Sequence, residues 1–252
     1  MPLRVVLIGY GTIGRHLFKK AEADPAVNVV GVIEQVPAVR ELVPEAVCLE
    51  SVAAVWGVQA DLVVETATAE VIAAHGPDLV RAAHLLPFSL TAFATLEVEE
   101  EVLRACREAN HHVFIPHGAF VGLDGLVGAK PLLREVTVTT TKPPHAFGLR
   151  ESTYRVLYDG PTREACRRYP RNVNVHAALA LAGIGFDRQR SRIVADPMSQ
   201  VNRHEVVAEG EGVRIELAVE ATTGVGVTGA FTPASAWASI RQIARAETIV
   251  YV

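Results

Sequence analysis

The sequence predicts an α/β architecture in two parts: a doubly wound parallel sheet, then an α+β unit with a mixed or antiparallel sheet. Three observations carry that expectation. The chain opens on a six-residue apolar strand, Leu3–Ile8, that runs into a glycine turn and a helix-like segment at residues 15–23. Strand-like and helix-like stretches then alternate as far as residue 115. Beyond Pro116 the texture changes to glycine-rich turns and clustered alternating strands. Alternation implies crossover connections and parallel strands, whereas clustering implies hairpins or a mixed sheet.

The turn is Gly9-Tyr10-Gly11-Thr12-Ile13-Gly14. Between a strand and a helix its glycines have separable roles. Gly9 permits the tight turn, Gly11 lets a pyrophosphate approach the backbone, and Gly14 lets the helix pack against the strand. The first helical N–H groups, at Thr12, Ile13 and Gly14, then face the phosphates, helped by the helix dipole. This is a Rossmann-type dinucleotide fingerprint. The second strand, Val27–Ile33, ends at Glu34, 20 residues after Gly14. An acid at that distance accepts hydrogen bonds from the adenosine ribose and repels the 2′-phosphate of NADP. NAD is therefore favoured, with NADP a candidate through Arg40; a solvated glutamate at a strand end is the plain alternative.

Residues 61–65 form a third strand with an exit loop at 66–68. Residues 69–83 read as a helix that Gly76-Pro77 breaks or kinks. A fourth strand begins at 85–88, residues 97–110 make an amphipathic helix, and 112–115 form a fifth strand. The second part begins with the glycine-rich stretch 117–128. Strands follow at 135–141, 192–195, 204–209 and 213–219, and helices at Thr162–Arg168 and 173–182. A last helix at 234–247 is expected to return to the first part. The domains are then 1–116 with 233–252, for the dinucleotide, and 117–232, for substrate, catalysis and dimerisation.

Composition excludes several classes. The net charge of −4 comes with no block of Lys and Arg, which argues against nucleic acid. No stretch approaches the roughly 18 apolar residues of a membrane span, and glycines interrupt the most apolar run, residues 176–186. The N-terminus lacks a signal-peptide pattern. Cys48, Cys106 and Cys166 are odd in number and widely spaced, as reduced thiols of a cytoplasmic protein are. No metal is expected, because His111-His112 lacks ligand spacing and adjacent strand side chains face opposite ways.

Three polar patches stand out in the second part: residues 117–128, 169–176 and 196–205. In the second patch Asn172 reads as a helix N-cap, and Asn174 as a cap or a cofactor ligand. In the third, His204 heads a strand. A lone histidine there is more often structural than catalytic, though histidine is the commonest acid/base group.

These patches carry a resemblance to the L-aspartate dehydrogenase family, end to end. Beyond the glycine turn it rests on His117-Gly118-Ala119-Phe120-Val121-Gly122-Leu123-Asp124, on Thr140-Thr141-Lys142-Pro143-Pro144, on the run from Pro170 through Asn172, Asn174 and Ala178, and on Asp196-Pro197 with Asn202 and His204. The resemblance implies NAD(P)-dependent oxidative deamination of L-aspartate to iminoaspartate, which hydrolyses to oxaloacetate and ammonia. It places the catalytic histidine at His204 and cofactor contacts at Ala119 and Asn174. Candidates for the substrate are Lys142, His117 and Asn202, Lys142 having the alternative of ending its strand in solvent. The sequence departs from the family pattern at His117, where serine is usual, and at residues 88–93. Those departures keep open another small amino or imino acid as substrate; a non-catalytic NAD-binding sensor is the reading of a different class. A homodimer is the expected assembly.

Overall fold

The computed structural model describes residues 1–150, 153–222 and 231–245. Contacts divide the chain into two compact units, Met1–Pro116 with the chain from Pro233 onward, and His117–Thr232.

The first unit contains β1 (Leu3–Ile8), α1 (Thr12–Glu22), β2 (Val27–Ile33), α2 (Pro37–Arg40), β3 (Leu62–Glu65), α3 (Ala69–Ala82), β4 (His84–Pro87) and α4 (Leu96–Ala109). Its sheet is wholly parallel, in the order β2-β1-β3-β4. Helical crossovers cover such a sheet, which is why β1 and β3 read as continuous apolar runs. Val5, Leu7, Val32, Leu62 and Val64 meet Leu17 of α1 in one core.

Two expectations are corrected here. Gly76-Pro77 does not break α3, which runs unbroken through both residues. Gly76 is buried at the crossing with α4, where an added Cβ would lie 3.0 Å from Val102 Cγ2, so the glycine serves close helix packing. The fifth strand shrinks to one parallel bridge, Leu85 to Val113. Leu85 donates to the His112 carbonyl and accepts from Phe114 N–H. The next donor along β4 is Pro87, which has no N–H, so the ladder stops.

The second unit contains α5 (Leu123–Ala129), β5 (Leu133–Lys142), β6 (Arg155–Pro161), α6 (Thr162–Arg168), α7 (Asn174–Ala182), β7 (Arg190–Ala195), β8 (Val201–Gly210) and β9 (Val213–Thr222). The stretch 117–128 is therefore partly helical, and β6 is an additional strand. The order is β6-β7-β5-β8-β9, with β5 and β7 parallel and the other pairs antiparallel, a mixed sheet. Pro161 is tolerated because β6 is an edge strand. The last helix, α8, spans Phe231–Ile243, and its Ala236 and Ile240 join the core of the first unit. Residues 246–252, which the expected 233–252 segment includes, lie outside the described residues.

The β1–α1 turn is held by close backbone contact. Gly9 has φ +94°, and a Cβ on Gly14 would sit 2.1 Å from the Gly9 carbonyl oxygen. Around Gly11, by contrast, nothing lies within 4 Å of an added Cβ. Gly14→Ala should therefore destabilise the fold by about 1–3 kcal/mol, while Gly11→Ala leaves stability nearly unchanged. Urea denaturation of both variants checks this; equal midpoints would contradict the packing role of Gly14.

Candidate active site

The first unit builds an anion cradle. In α1 the first intrahelical acceptance is Arg15 N–H to the Gly11 carbonyl at 3.0 Å, so the N–H groups of Thr12, Ile13 and Gly14 precede the helical ladder. No acidic side chain occupies the first turn. The open space over Gly11 and these donors fit the pyrophosphate of a dinucleotide. Glu34 braces the turn from the end of β2. Its carboxylate accepts from Tyr10 N–H at 2.7 Å and from Val36 N–H at 2.8 Å. Its neighbours Ile33 and Gln35 line a cleft of about 330 Å³ with Trp56 and Leu79. Arg40 is paired with Glu50 at 2.9 Å.

Sequence reading passed over Glu65, at the carboxyl end of β3. It is fully buried. Its carboxylate accepts from Ala67 N–H at 2.7 Å, Ser89 Oγ–H at 2.8 Å and Ser89 N–H at 3.0 Å, tying the exit loops of β3 and β4 together. Burial raises its pKa to about 7 against the lowering effect of the Ser89 and Ala67 hydrogen bonds. The departure at residues 88–93 is thus buried from Ser89 to Phe93, with Phe88 half-buried and a 3₁₀ turn at Leu90–Ala94. An acid ending an apolar strand was the available signal.

The second unit gathers a polar cluster on one sheet face. Side chains two apart on a strand share a face. Along β5 the buried residues run Val136, Val138, Thr140, Lys142; along β8 they run Ala208, Val206, His204, Asn202. Thr140 pairs with His204 in the ladder, so both strands turn from apolar to polar at the same end. Lys142 is only 3% exposed, which overturns the solvent alternative. Its ammonium lies 3.4 Å from Asn172 Oδ1. Burial alone lowers its pKa, to about 8. Asn172 is not the cap of α7: that position belongs to Val173, and no side chain caps the helix. Asn174 is the first helical residue.

His204 is 5% exposed, and its Nδ1 lies 2.8 Å from Thr140 Oγ1. The same hydroxyl is 2.7 Å from Nε2 of His176 on α7. Burial, then the charge of Lys142, lowers the His204 pKa to about 3, so the ring is neutral at pH 7. His176 is lowered well below its ordinary value by burial, then by His204 and Lys142.

The structure therefore brings Lys142, Asn202 and His204 onto one face, and adds Thr140, Asn172 and His176. It groups Gly9, Gly11, Thr12, Ile13, Gly14 and Glu34 in the first unit. Ala119 and His117 lie in the segment leading to α5, and no hydrogen bond among the described residues joins either to the His204 cluster. His117 Nδ1 is buried without a hydrogen-bond partner. Among the described residues no group of three or more His, Cys, Asp or Glu side chains is placed to hold a metal ion, and no helix is long and apolar enough to cross a membrane. Cys48, Cys106 and Cys166 are free thiols.

Comparison with known proteins bears on both units. A family model described as aspartate dehydrogenase, C-terminal, matches residues 124–243. One described as homoserine dehydrogenase, NAD binding domain, matches residues 9–116. An L-aspartate dehydrogenase of Methanopyrus kandleri is 32% identical over 254 residues, covering 96% of each chain. L-aspartate dehydrogenase 1 of Bordetella pertussis is 34% identical over 218 residues, 83% of each chain. The crystal structure of an aspartate dehydrogenase from Thermotoga maritima matches with a TM-score of 0.82 at 25% identity, covering all of both chains. The WlbA dehydrogenase of Bordetella pertussis, solved with NADH and UDP-GlcNAcA, matches with a TM-score of 0.53 at 16% identity, a likeness of fold alone.

The depressed histidines make stability depend on pH. The unfolded chain binds protons on these histidines near pH 6.5, whereas the folded chain resists until about pH 3 at His204. Their contribution is full above pH 6.5 and lost as pH falls. Glu65 acts oppositely, adding stability as pH falls from about 7 towards 4.5. Urea unfolding between pH 7 and 5 should therefore show a shallower acid loss in His204→Asn than in the unsubstituted protein. Identical slopes would contradict the buried neutral state of His204.

Proposed function

The chain belongs to the L-aspartate dehydrogenase family, and from that premise we propose that it oxidatively deaminates L-aspartate, preferring NAD to NADP. The product is iminoaspartate, which hydrolyses to oxaloacetate and ammonia. The observation that carries the reading is the buried Lys142 ammonium beside the neutral His204 ring, with the Asn172 amide facing the ammonium. A buried cation whose pKa is lowered by burial, with no carboxylate among the described residues raising it, suits an anionic substrate group.

Bound NAD supplies the hydride acceptor. The chain's own residues do the rest. The cradle of Gly11, Thr12, Ile13 and Gly14 holds the pyrophosphate, and Glu34 favours the unphosphorylated ribose. Ala119 and Asn174 are the remaining cofactor contacts of this reading. Lys142 and Asn202 fix the substrate by its carboxylate. His204 takes the proton of the substrate ammonium, freeing the nitrogen lone pair that drives hydride loss from Cα. Burial is the larger cause of the low His204 pKa and the Lys142 charge the smaller; a carboxylate at Lys142 offsets the second, so substrate binding itself raises the basicity of the ring. The protonated histidine then gives its proton to the departing nitrogen when the carbinolamine formed by water breaks down to oxaloacetate and ammonia.

The unpartnered Nδ1 of His117 and the buried 3₁₀ turn at Leu90–Ala94 motivate a second reading, with another small amino acid as substrate. The same proposal has a cytoplasmic homodimer acting on a small molecule. Assay of NADH formation across a panel of amino acids tests both readings: turnover of aspartate is expected, and turnover of another amino acid with none of aspartate would replace the first by the second. His204→Ala should lower kcat by about 10²–10⁴ with NAD binding kept; surviving activity would remove His204 from the mechanism.

Lys142 gives a separate test. Its charge is complete below its folded pKa of about 8 and is lost as pH rises through it. KM for aspartate should accordingly climb above about pH 8 in the native enzyme. In Lys142→Met it should be high, by about 10–100-fold, and free of that rise. A wild-type KM in the variant would exclude Lys142 from carboxylate binding.

A further inference from the structure

We propose that a buried hydrogen-bond chain, with His176 as the positioning residue, fixes His204 as its Nδ1–H tautomer and leaves Nε2 as the proton acceptor. The inference rests on the acid/base reading of His204 and goes beyond it, by naming the atom that takes the proton and the groups that decide this.

The chain runs through five side chains beyond His204. His204 Nδ1 lies 2.8 Å from Thr140 Oγ1, which lies 2.7 Å from His176 Nε2. His176 Nδ1 lies 2.8 Å from Ser191 Oγ, which lies 2.7 Å from Thr162 Oγ1. Thr162 Oγ1 is 3.1 Å from the Gln189 backbone carbonyl and 3.0 Å from Gln189 Nε2. All of Thr140, Thr162, His176, Gln189 and Ser191 are wholly buried, so their polar atoms depend on partners within the protein; Gln189 Oε1 has none, and the chain runs through the other atoms.

The far end sets the direction. A backbone carbonyl only accepts. Gln189 Nε2 donates to the His176 carbonyl at 2.8 Å, which fixes the orientation of that amide. The Gln189 amide therefore donates to Thr162 Oγ1, and the single Thr162 proton goes to the Gln189 carbonyl. Ser191 must then donate to Thr162, and accept from His176 Nδ1–H. A neutral His176 with its proton on Nδ1 has a bare Nε2, which accepts from Thr140 O–H. Thr140, its proton spent, accepts from His204 Nδ1–H. Every contact is made in this sense. Running the other way, Thr162 would donate to Ser191 and give up its 3.1 Å bond to the Gln189 carbonyl, which would keep only the Thr162 backbone N–H at 3.0 Å; the forward sense makes one hydrogen bond more, and in the reverse sense His204 would end with its proton on Nε2.

The forward sense also suits turnover. When Nε2 takes a proton, Nδ1–H still donates to Thr140, so the chain is the same in both charge states of His204 and nothing reorganises during the step. The hydrogen bond on one ring nitrogen thus defines the role of the other.

The test reads the tautomer directly and does not require aspartate to be the substrate. Nitrogen-15 NMR of histidine-labelled enzyme, with the His204 resonances assigned by their loss in His204→Asn, should show at neutral pH a protonated Nδ1 and a bare Nε2. The reverse pattern would overturn the proposal. Ser191→Ala removes the acceptor of His176 Nδ1–H without touching His204; it should shift His204 towards Nε2–H and lower kcat by about 10–100-fold with KM nearly constant. Thr140→Val should do the same, and Thr140→Ser should restore both readouts. An unchanged tautomer in Ser191→Ala would also overturn the chain, whatever the activity. Failure of the aspartate reading appears separately, as an inactive unsubstituted enzyme with the expected spectrum.

Discussion

A lysine ammonium held in the sheet of the second unit, with no carboxylate among the described residues raising its pKa, is the constraint on which the site depends. Burying a charge is costly unless something compensates it, and here an amide oxygen, Asn172 Oδ1, accepts from the ammonium at 3.4 Å. The surroundings follow from that condition. His204 and His176 must be neutral beside the cation, and burial pushes both in the same direction. Neutral imidazoles need one donor and one acceptor each, so the hydroxyls of Thr140, Ser191 and Thr162 are placed between and beyond them. Charge, tautomer and hydrogen-bond direction form one coupled set.

The first unit solves a different problem with backbone atoms. Its turn brings Gly14 against the Gly9 carbonyl so closely that a methyl group has no room. That contact places the start of α1 over the end of β1 and aims unladdered N–H groups at one point. Glu34 accepts the Tyr10 N–H inside the turn. The carboxylate proposed to meet the ribose thereby stiffens the loop proposed to meet the phosphates. Glu65 repeats the device one strand over, accepting from Ala67 and Ser89. Acids at the carboxyl ends of β2 and β3 thus organise the loops in which α/β sheets bind their ligands.

How much was legible depends on range. The glycine turn and the amphipathic helix α4 are local patterns, and both formed within a few residues of expectation. The strand expected at 112–115 failed because its partner ends in Pro87, a donor missing from the neighbour rather than from the segment itself. Strand β6 escaped notice because its turn-like Asp159-Gly160-Pro161 end obscures the alternation. Asn172 looked like a cap, since Asx residues before helices usually are; the structure turns its amide to Lys142 instead. His204 and Lys142 were visible as residue types, but neither burial nor partnership was.

By itself the sequence determined the alternating, parallel α/β class of the first unit, the glycine turn between β1 and α1, the acid that follows it, and the family. Each of these is written in residue type at fixed spacing, because φ freedom, periodicity and charge act over a few residues. Only the tertiary structure decided the chemistry of the second unit. Thr140, His176, Ser191 and His204 come from β5, α7, β7 and β8, and their meaning lies in distances of 2.7–2.8 Å between side chains 15 to 64 residues apart in the chain. A hydroxyl reads as ordinary in a sequence; its direction of donation exists only once burial has removed every other partner.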